Sequence, residues 1–124
     1  MVKRKTLKFS EPRAFPELPV TEHKCVGSGD YLSEKERDSL EMNLAILIHN
    51  KFNRHDPNAV AVLDVEGRVL GYIRAAQGAI YAPLIDQIGA LQITCRVTRK
   101  TFGTTPILWL DLPKAAALKK ALGL

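Results

Sequence analysis

Apolar and polar positions alternate most clearly over residues 59 to 73. Val60 and Val62 alternate with Ala59 and Ala61, Asp64 to Gly67 supplies turn chemistry, and Val69-Leu70-Gly71-Tyr72-Ile73 follows. That pattern predicts a β-hairpin. Leu91, Ile93, Cys95 and Val97 also alternate strictly, the basic tip Arg99-Lys100-Thr101-Phe102-Gly103 intervenes, and Ile107 to Leu112 returns as the partner of a second hairpin. Between the two, Ile80, Leu84, Ile85 and Ile88 fall on one helical face and Gly89 stands at the C-cap position, predicting one amphipathic helix over Ala75 to Ile88. Pro83 lies inside it and removes one backbone hydrogen bond, so a kink or division is expected there.

The first half of the chain is less regular. Residues 1 to 19 carry Pro12, Pro16 and Pro19 with no sustained periodicity and read as an extended arm. From Val20 a short apolar stretch with Cys25 and Val26 runs into Gly27-Ser28-Gly29-Asp30, a strand ending in a turn. Ser33 and Glu36 make a capping box, which predicts a short helix from about Glu34. Leu40, Leu44, Leu47 and Ile48 then recur at helical spacing, whereas Leu44, Ile46 and Ile48 alternate as on a strand. Periodicity alone leaves that segment open. Lys114 to Leu124 consists of strong helix formers, too short to be stable without packing on something. Five or six short strands and one or two helices predict a mainly β (α+β) small barrel or strongly curled sheet.

Length and composition narrow the class. The 124 residues suit one domain, and 46% apolar with 25% charged residues is the balance of a globular chain. Cys25 and Cys95 form no CxxC pair, so neither a disulfide framework nor a zinc knuckle is indicated and a reducing, cytoplasmic home is expected. No signal peptide or membrane span is legible, so no membrane partner is expected. The net charge of +5 is unevenly spread. Lys3, Arg4, Lys5, Lys8 and Arg13 crowd the start, Arg96, Arg99, Lys100, Lys114, Lys119 and Lys120 dominate the end, and Asp30, Glu34, Glu36, Asp38 and Glu41 cluster between them. Basic ends favour an anionic partner, because clustered cations replace the counterions condensed on phosphates.

Few residues suggest catalysis. His23, Cys25, His49, His55 and Asp56 lack the paired spacings of a zinc site, so no metal or cofactor is expected. Ser28 between two glycines is no nucleophile elbow, and the glycines make an ordinary turn or a small anion nest. A nuclease would need clustered metal-binding carboxylates, for which only residues 30 to 41 offer material, and the chain is expected not to be an enzyme. The basic tip is more suggestive: Arg99, Lys100 and Phe102 would offer phosphate partners beside a stacking surface, unless the phenylalanine folds back onto the core. The stretch HNKFNRHDPNAVAV, residues 49 to 62, carries the strongest signal. Turn chemistry accounts for Asp56-Pro57-Asn58, but it requires neither Arg54 nor His55. A carboxylate beside such cations, if it meets nucleic acid, needs a donor such as a sugar hydroxyl or base amine.

Asn53-Arg54-His55-Asp56-Pro57-Asn58-Ala59-Val60-Ala61-Val62, Gly67-Arg68-Val69-Leu70-Gly71-Tyr72-Ile73 and Tyr81-Ala82-Pro83-Leu84-Ile85-Asp86, in that order, closely resemble the HIRAN domain. There an N-P-Y-D-x-N-A-I/V loop precedes a strand, a G-x-x-x-G-Y/H-[LI] strand follows, and a helix carries an L-A-P-L-[LI]-like segment. The resemblance covers about residues 49 to 97 and reaches loosely back to Val26-Gly27. It implies an OB-like six-stranded β-barrel with one or two accessory helices, spanning residues 20 to 113 between the arm (1 to 19) and a C-terminal helix (114 to 124). It places Leu44 to His49 on a strand.

It also implies a module for single-stranded DNA that captures free 3′ ends in DNA repair or replication-fork processing. Prokaryotic versions can stand alone, so a helicase or nuclease would be a separate partner. The end-reading carboxylate falls on Asp56, the stacking tyrosine before it on His55, a polar backbone-contacting position on Asn53, an aromatic or histidine position on Tyr72, and a basic one on Arg74. Near Gly27 the family's basic residue and second aromatic platform are replaced by Gly29, Asp30 and Tyr31, of which Tyr31 can supply the platform, and extra residues follow. Phosphates are then expected at Lys51, Arg54, Arg74, Arg99 and Lys100, with bases on Tyr31, His55 or Phe102. If DNA-binding, the protein is expected on the nucleoid. The alternative is an interaction module of the same fold that has lost DNA-end recognition.

Overall fold

A computed structural model describes residues 2–98 and 106–124. The strands are β1 (Arg13–Ala14), β2 (Val20–Lys24), β3 (Leu44–His49), β4 (Val60–Leu63), β5 (Val69–Tyr72), β6 (Leu91–Thr98) and β7 (Ile107–Pro113). The helices are α1 (Glu34–Asp38), α2 (Ala75–Asp86) and α3 (Ala115–Ala121), and Ser28–Asp30 forms one tight helical turn.

Six strands run in the order β2-β7-β6-β3-β4-β5, all neighbours antiparallel, with β1 added parallel to β6. The sheet curls until its two ends meet, because the chain just beyond β2 bridges to β5: Val26 and Tyr72 exchange both backbone hydrogen bonds, at 2.8 and 2.9 Å. Gly71 makes that approach possible. A Cβ there would stand 2.5 Å from the Val26 carbonyl oxygen and 2.7 Å from the Cys25 sulfur. The result is an OB-like barrel.

Alternation along β3 to β5 feeds two apolar layers rather than one. Ala45, Leu47, Val60, Val62 and Leu70 point into the main core with Leu91, Ile93, Leu108, Leu110 and Leu112. Ile46, Ala61, Leu63 and Val69 point outward, yet they are buried too. The N-terminal arm covers them with Leu7 and Phe9. It is fastened by Leu7 N–H to the Gly67 carbonyl at 2.8 Å and Val69 N–H to the Lys5 carbonyl at 2.8 Å. Gly67, at φ 94°, both makes the turn and leaves room for the arm, since a Cβ would lie 2.6 Å from the Leu7 carbonyl oxygen. Burial on both faces is why β3 shows no clean period in sequence.

The capping box forms as predicted: the Ser33 hydroxyl accepts from Glu36 N–H and the Glu36 carboxylate from Ser33 N–H. Helix α2 buries Tyr81, Ala82, Leu84 and Ile85, and Gly89 follows it at φ 88°. Ile80 departs from the expected apolar face. It is 43% exposed, because Tyr81 turns inward instead and donates its hydroxyl to the Pro113 carbonyl at 2.6 Å. Pro83 lies on the exposed side of α2, which continues through it. Helix α3 packs through the buried Leu118. Among the described residues no helix is long and apolar enough to cross a membrane.

Candidate nucleic-acid interface

On the outer face of β3–β5 stands Tyr72, one of the predicted residues. Register places Ile48, Ala61 and Tyr72 side by side across three strands, and Val26 next to Tyr72 beyond them. Tyr31, carried in by the turn after Gly27, lies against Tyr72 with ring centroids 5.9 Å apart and planes inclined by 50°. This is a tilted aromatic pair at ordinary stacking distance. Burial, the adjoining Tyr72 and then the Asp30 carboxylate push the Tyr31 phenol up to about 12. At neutral pH it is therefore an uncharged, half-buried ring.

Beyond β3 the chain enters the loop of residues 50 to 59. Asn50, 7% exposed, donates its side-chain amide to the Tyr72 hydroxyl at 2.8 Å, so the root of the loop is bonded to the aromatic pair. Asn53 N–H donates to the Asn50 carbonyl at 3.2 Å, which makes residues 50 to 53 a tight turn. The Asn53 side-chain oxygen then accepts from the N–H groups of His55 and Asp56, at 2.9 and 3.1 Å. Asp56 repeats the device, its Oδ1 accepting from Asn58 N–H at 2.9 Å. These are consecutive Asx turns, in which short polar side chains substitute for backbone acceptors. A carboxylate with one backbone donor still has lone pairs for another.

The far side of the loop is fastened to α2. His49 Nδ1 lies 3.0 Å from both carboxylate oxygens of Asp86, and His49 Nε2 lies 2.6 Å from the Pro57 carbonyl oxygen. Both ring nitrogens face acceptors, so only the doubly protonated ring donates at both ends. Lys51 Nζ approaches Asp86 at 3.5 Å from a largely exposed side chain. Gly78 lets α2 seat against the loop, for a Cβ there would stand 2.7 Å from the Asn58 carbonyl oxygen.

Of the predicted site residues, Tyr31 and Tyr72 form one pair, and Lys51, Asn53, Arg54, His55 and Asp56 share the loop rooted beside it, with Arg54 and His55 exposed. Arg74 is exposed at the start of α2, close enough to His23 that its charge, after burial, holds that imidazole below its ordinary value. Arg99, Lys100 and Phe102 lie outside the described residues. Sequence reasoning missed Asn50, whose bond to Tyr72 spans distant segments, and Phe52, which is 95% exposed. Phe52 sits inside the quoted stretch, but only the folded turn reveals that its ring has no cover.

Elsewhere many charges are spent on structure. Arg68 binds the Glu36 carboxylate and the Tyr31 carbonyl, and Arg96 pairs with Glu22. Cys25 and Cys95 are both buried free thiols, pushed up to about 11 chiefly by burial.

No curated protein matches the chain in sequence. A crystal structure of a protein from Lactobacillus plantarum superposes with a TM-score of 0.53 at 23% identity, covering 76% of this chain and 95% of that one. The crystal structure of the HIRAN domain of human HLTF superposes with a TM-score of 0.53 at 19% identity, covering 86% of this chain and 90% of that one. At such identities the likeness concerns the fold. The sequence profile of the HIRAN domain, however, matches residues 18–107, most of the chain. The protein belongs to the HIRAN domain family, a family of DNA-binding modules.

Proposed function

We propose that the protein is a non-enzymatic module that takes single-stranded DNA across Tyr31, Tyr72 and the loop of residues 50 to 59, receiving a 3′ end at Asp56. One arrangement carries this reading: a tilted tyrosine pair is hydrogen-bonded through Asn50 to a loop that sets exposed Arg54 and His55 beside a carboxylate. Aromatic rings accept bases of any sequence, and the cations accept phosphates. The carboxylate prefers a strand that ends, because a terminal hydroxyl donates a hydrogen bond and an internal phosphodiester does not. Such a module would serve DNA repair or fork processing by delivering ends to a partner helicase or nuclease.

Fluorescence anisotropy with short oligonucleotides tests it. Tighter binding of 3′-hydroxyl than of 3′-phosphorylated strands is expected, and equal affinity removes the end-reading claim. Asp56→Asn keeps an oxygen for the Asx turn while removing the charge, so a hydroxyl preference unchanged in that variant would show that Asp56 does not read the end. Affinity should also fall with salt, by roughly 0.7 in log–log slope for each phosphate contacted.

A second reading, a protein-interaction module, is favoured by a groove of about 560 Å³ between α1 and the β4–β5 turn. Its lining includes the apolar Leu40 and Met42 and the acidic Glu41, Asp64 and Glu66. Acidic side chains there repel DNA and suit a basic protein segment. Absence of oligonucleotide binding at low salt would favour it.

A further inference from the structure

Phe52 is the most exposed large apolar side chain among the described residues, at 95%. Turn chemistry does not ask for it. It occupies the third position of the turn of residues 50 to 53, where small or polar residues serve. Nor is the ring on a loose tether. The turn is closed by Asn53 N–H on the Asn50 carbonyl, Asn50 is held at both Tyr72 and the Ala59 carbonyl, and the preceding His49 is held at Asp86 and Pro57. A single exposed ring needs no explanation by itself, but this one stands on a turn closed by backbone hydrogen bonds and beside a pocket that carries lysines.

Beside it lies a pocket of about 280 Å³ between the N-terminal arm and the end of β3. Its lining includes the apolar Leu7 and Ile48, the aromatic Phe52 and the basic Lys8 and Lys51. Leu7 and Ile48 also belong to the apolar layer that contains Tyr31 and Tyr72, so the pocket continues the surface of the tyrosine pair. A flat aromatic ligand with polar edges, flanked by anions, fits this combination, and that is the chemistry of a nucleotide within a strand. A protein segment would use the ring and the apolar lining, but it would not use the charge of Lys8, nor the exposed part of Lys51 that remains beside its Asp86 contact.

We infer that this pocket is a second nucleotide subsite, in which Phe52 stacks on a base and Lys8 and Lys51 meet the adjoining phosphates. The inference rests on the single-stranded DNA reading above and extends its strand path toward the arm. It gives the arm a part in binding, because Lys8 lines the pocket next to Leu7, whose N–H is bonded to the Gly67 carbonyl.

The test titrates wild type, Phe52→Ala, Phe52→Leu and Phe52→Trp with a short oligothymidine at low salt, after circular dichroism shows that each is folded. Loss of one stacked base should weaken binding by roughly 5- to 150-fold in both Phe52→Ala and Phe52→Leu. Phe52→Trp should bind as wild type, and its added emission should be quenched by the oligonucleotide. Lys8→Ala should reduce the salt slope by about 0.7. If wild type binds and both Phe52→Ala and Phe52→Leu bind equally well, the subsite is overturned and the strand reading stands. If Phe52→Leu alone keeps wild-type affinity, the contact is apolar rather than stacking, as for a protein segment, and the proposal fails. If wild type itself binds no strand, the underlying reading has failed and the subsite falls with it.

Discussion

Asn50 donates its side-chain amide to the hydroxyl of Tyr72 at 2.8 Å from a site only 7% exposed, and so couples the end of β3 to the end of β5. Asn50→Ala leaves the Tyr72 hydroxyl without this donor and empties the space between loop and sheet. A loss of about 1–3 kcal/mol is expected in urea denaturation. Oligonucleotide affinity should fall as well, because the loop loses its root. A variant as stable as wild type would show that water satisfies the hydroxyl equally well.

The barrel closes through one close approach, Gly71 against Cys25 and Val26. Gly71→Ala drives a methyl group into the Val26 carbonyl and the Cys25 sulfur, so the bridge to Tyr72 must part. Destabilisation of about 2–3 kcal/mol is expected by thermal or chemical unfolding. Hydrogen exchange should locate the damage, with the Val26 and Tyr72 amides losing protection ahead of those in β6.

Glu36 gives the fold an acid-sensitive fastening. The Arg68 guanidinium first, and the Ser33 N–H next, hold its carboxyl at about 2, below its ordinary value of 4.5. A group depressed in the folded state contributes stability above its unfolded pKa and loses it as pH falls toward the folded one. The contribution is therefore present above about 4.5 and fades between about 4.5 and about 2. Glu36→Gln should flatten the acid limb of a stability-against-pH curve in that window. An unchanged limb would assign acid sensitivity to other carboxylates.

His49 holds the loop to α2 through Asp86 on one side and Pro57 on the other. In His49→Ala both attachments go, while the turns made by Asn53 and Asp56 remain. The expected signature is a loop that is intact locally but displaced as a unit. Oligonucleotide affinity should drop several-fold and exchange at the Asn50 amide should quicken, with the Ala59 amide, bonded to Asp56 within the loop, unchanged and little change in global stability. Wild-type affinity in this variant would mean that the loop does not need the His49 anchor, the Lys51–Asp86 contact and the packing at Gly78 being enough.

Much of the barrel was legible because its signals are local. The β4–β5 hairpin has its turn residues between two apolar runs, and the Ser33–Glu36 capping box spans a single helical turn. Features made by distant segments were not. Leu7 and Phe9 carry no periodicity, and only the outer face of β3–β5 gives them a place to be buried. That same cover hid β3, whose inward Ala45 and Leu47 and outward Ile46 are all buried. Spacing alone puts Ile80 inward, but Tyr81 has a hydrogen-bond partner on β7 that spacing cannot display. In the candidate loop, the motif exposed Asn53, His55 and Asp56, whereas Asn50 and Phe52 depend on a fold-wide bond and on the direction of one turn.

The order of strands across the sheet also sets an order in time. β3, β4 and β5 are neighbours in the chain and can pair soon after they are made, but β2 pairs with β7, and β1 with β6. The earliest strands to leave a ribosome must therefore wait for the latest, since long loops are closed only once their far partners exist. Until Ile107–Pro113 emerges, β2 has an open edge and the apolar faces of the sheet are incomplete. For this chain, the interval before the last strand is the one in which a chaperone, or an aggregating neighbour, finds its opportunity.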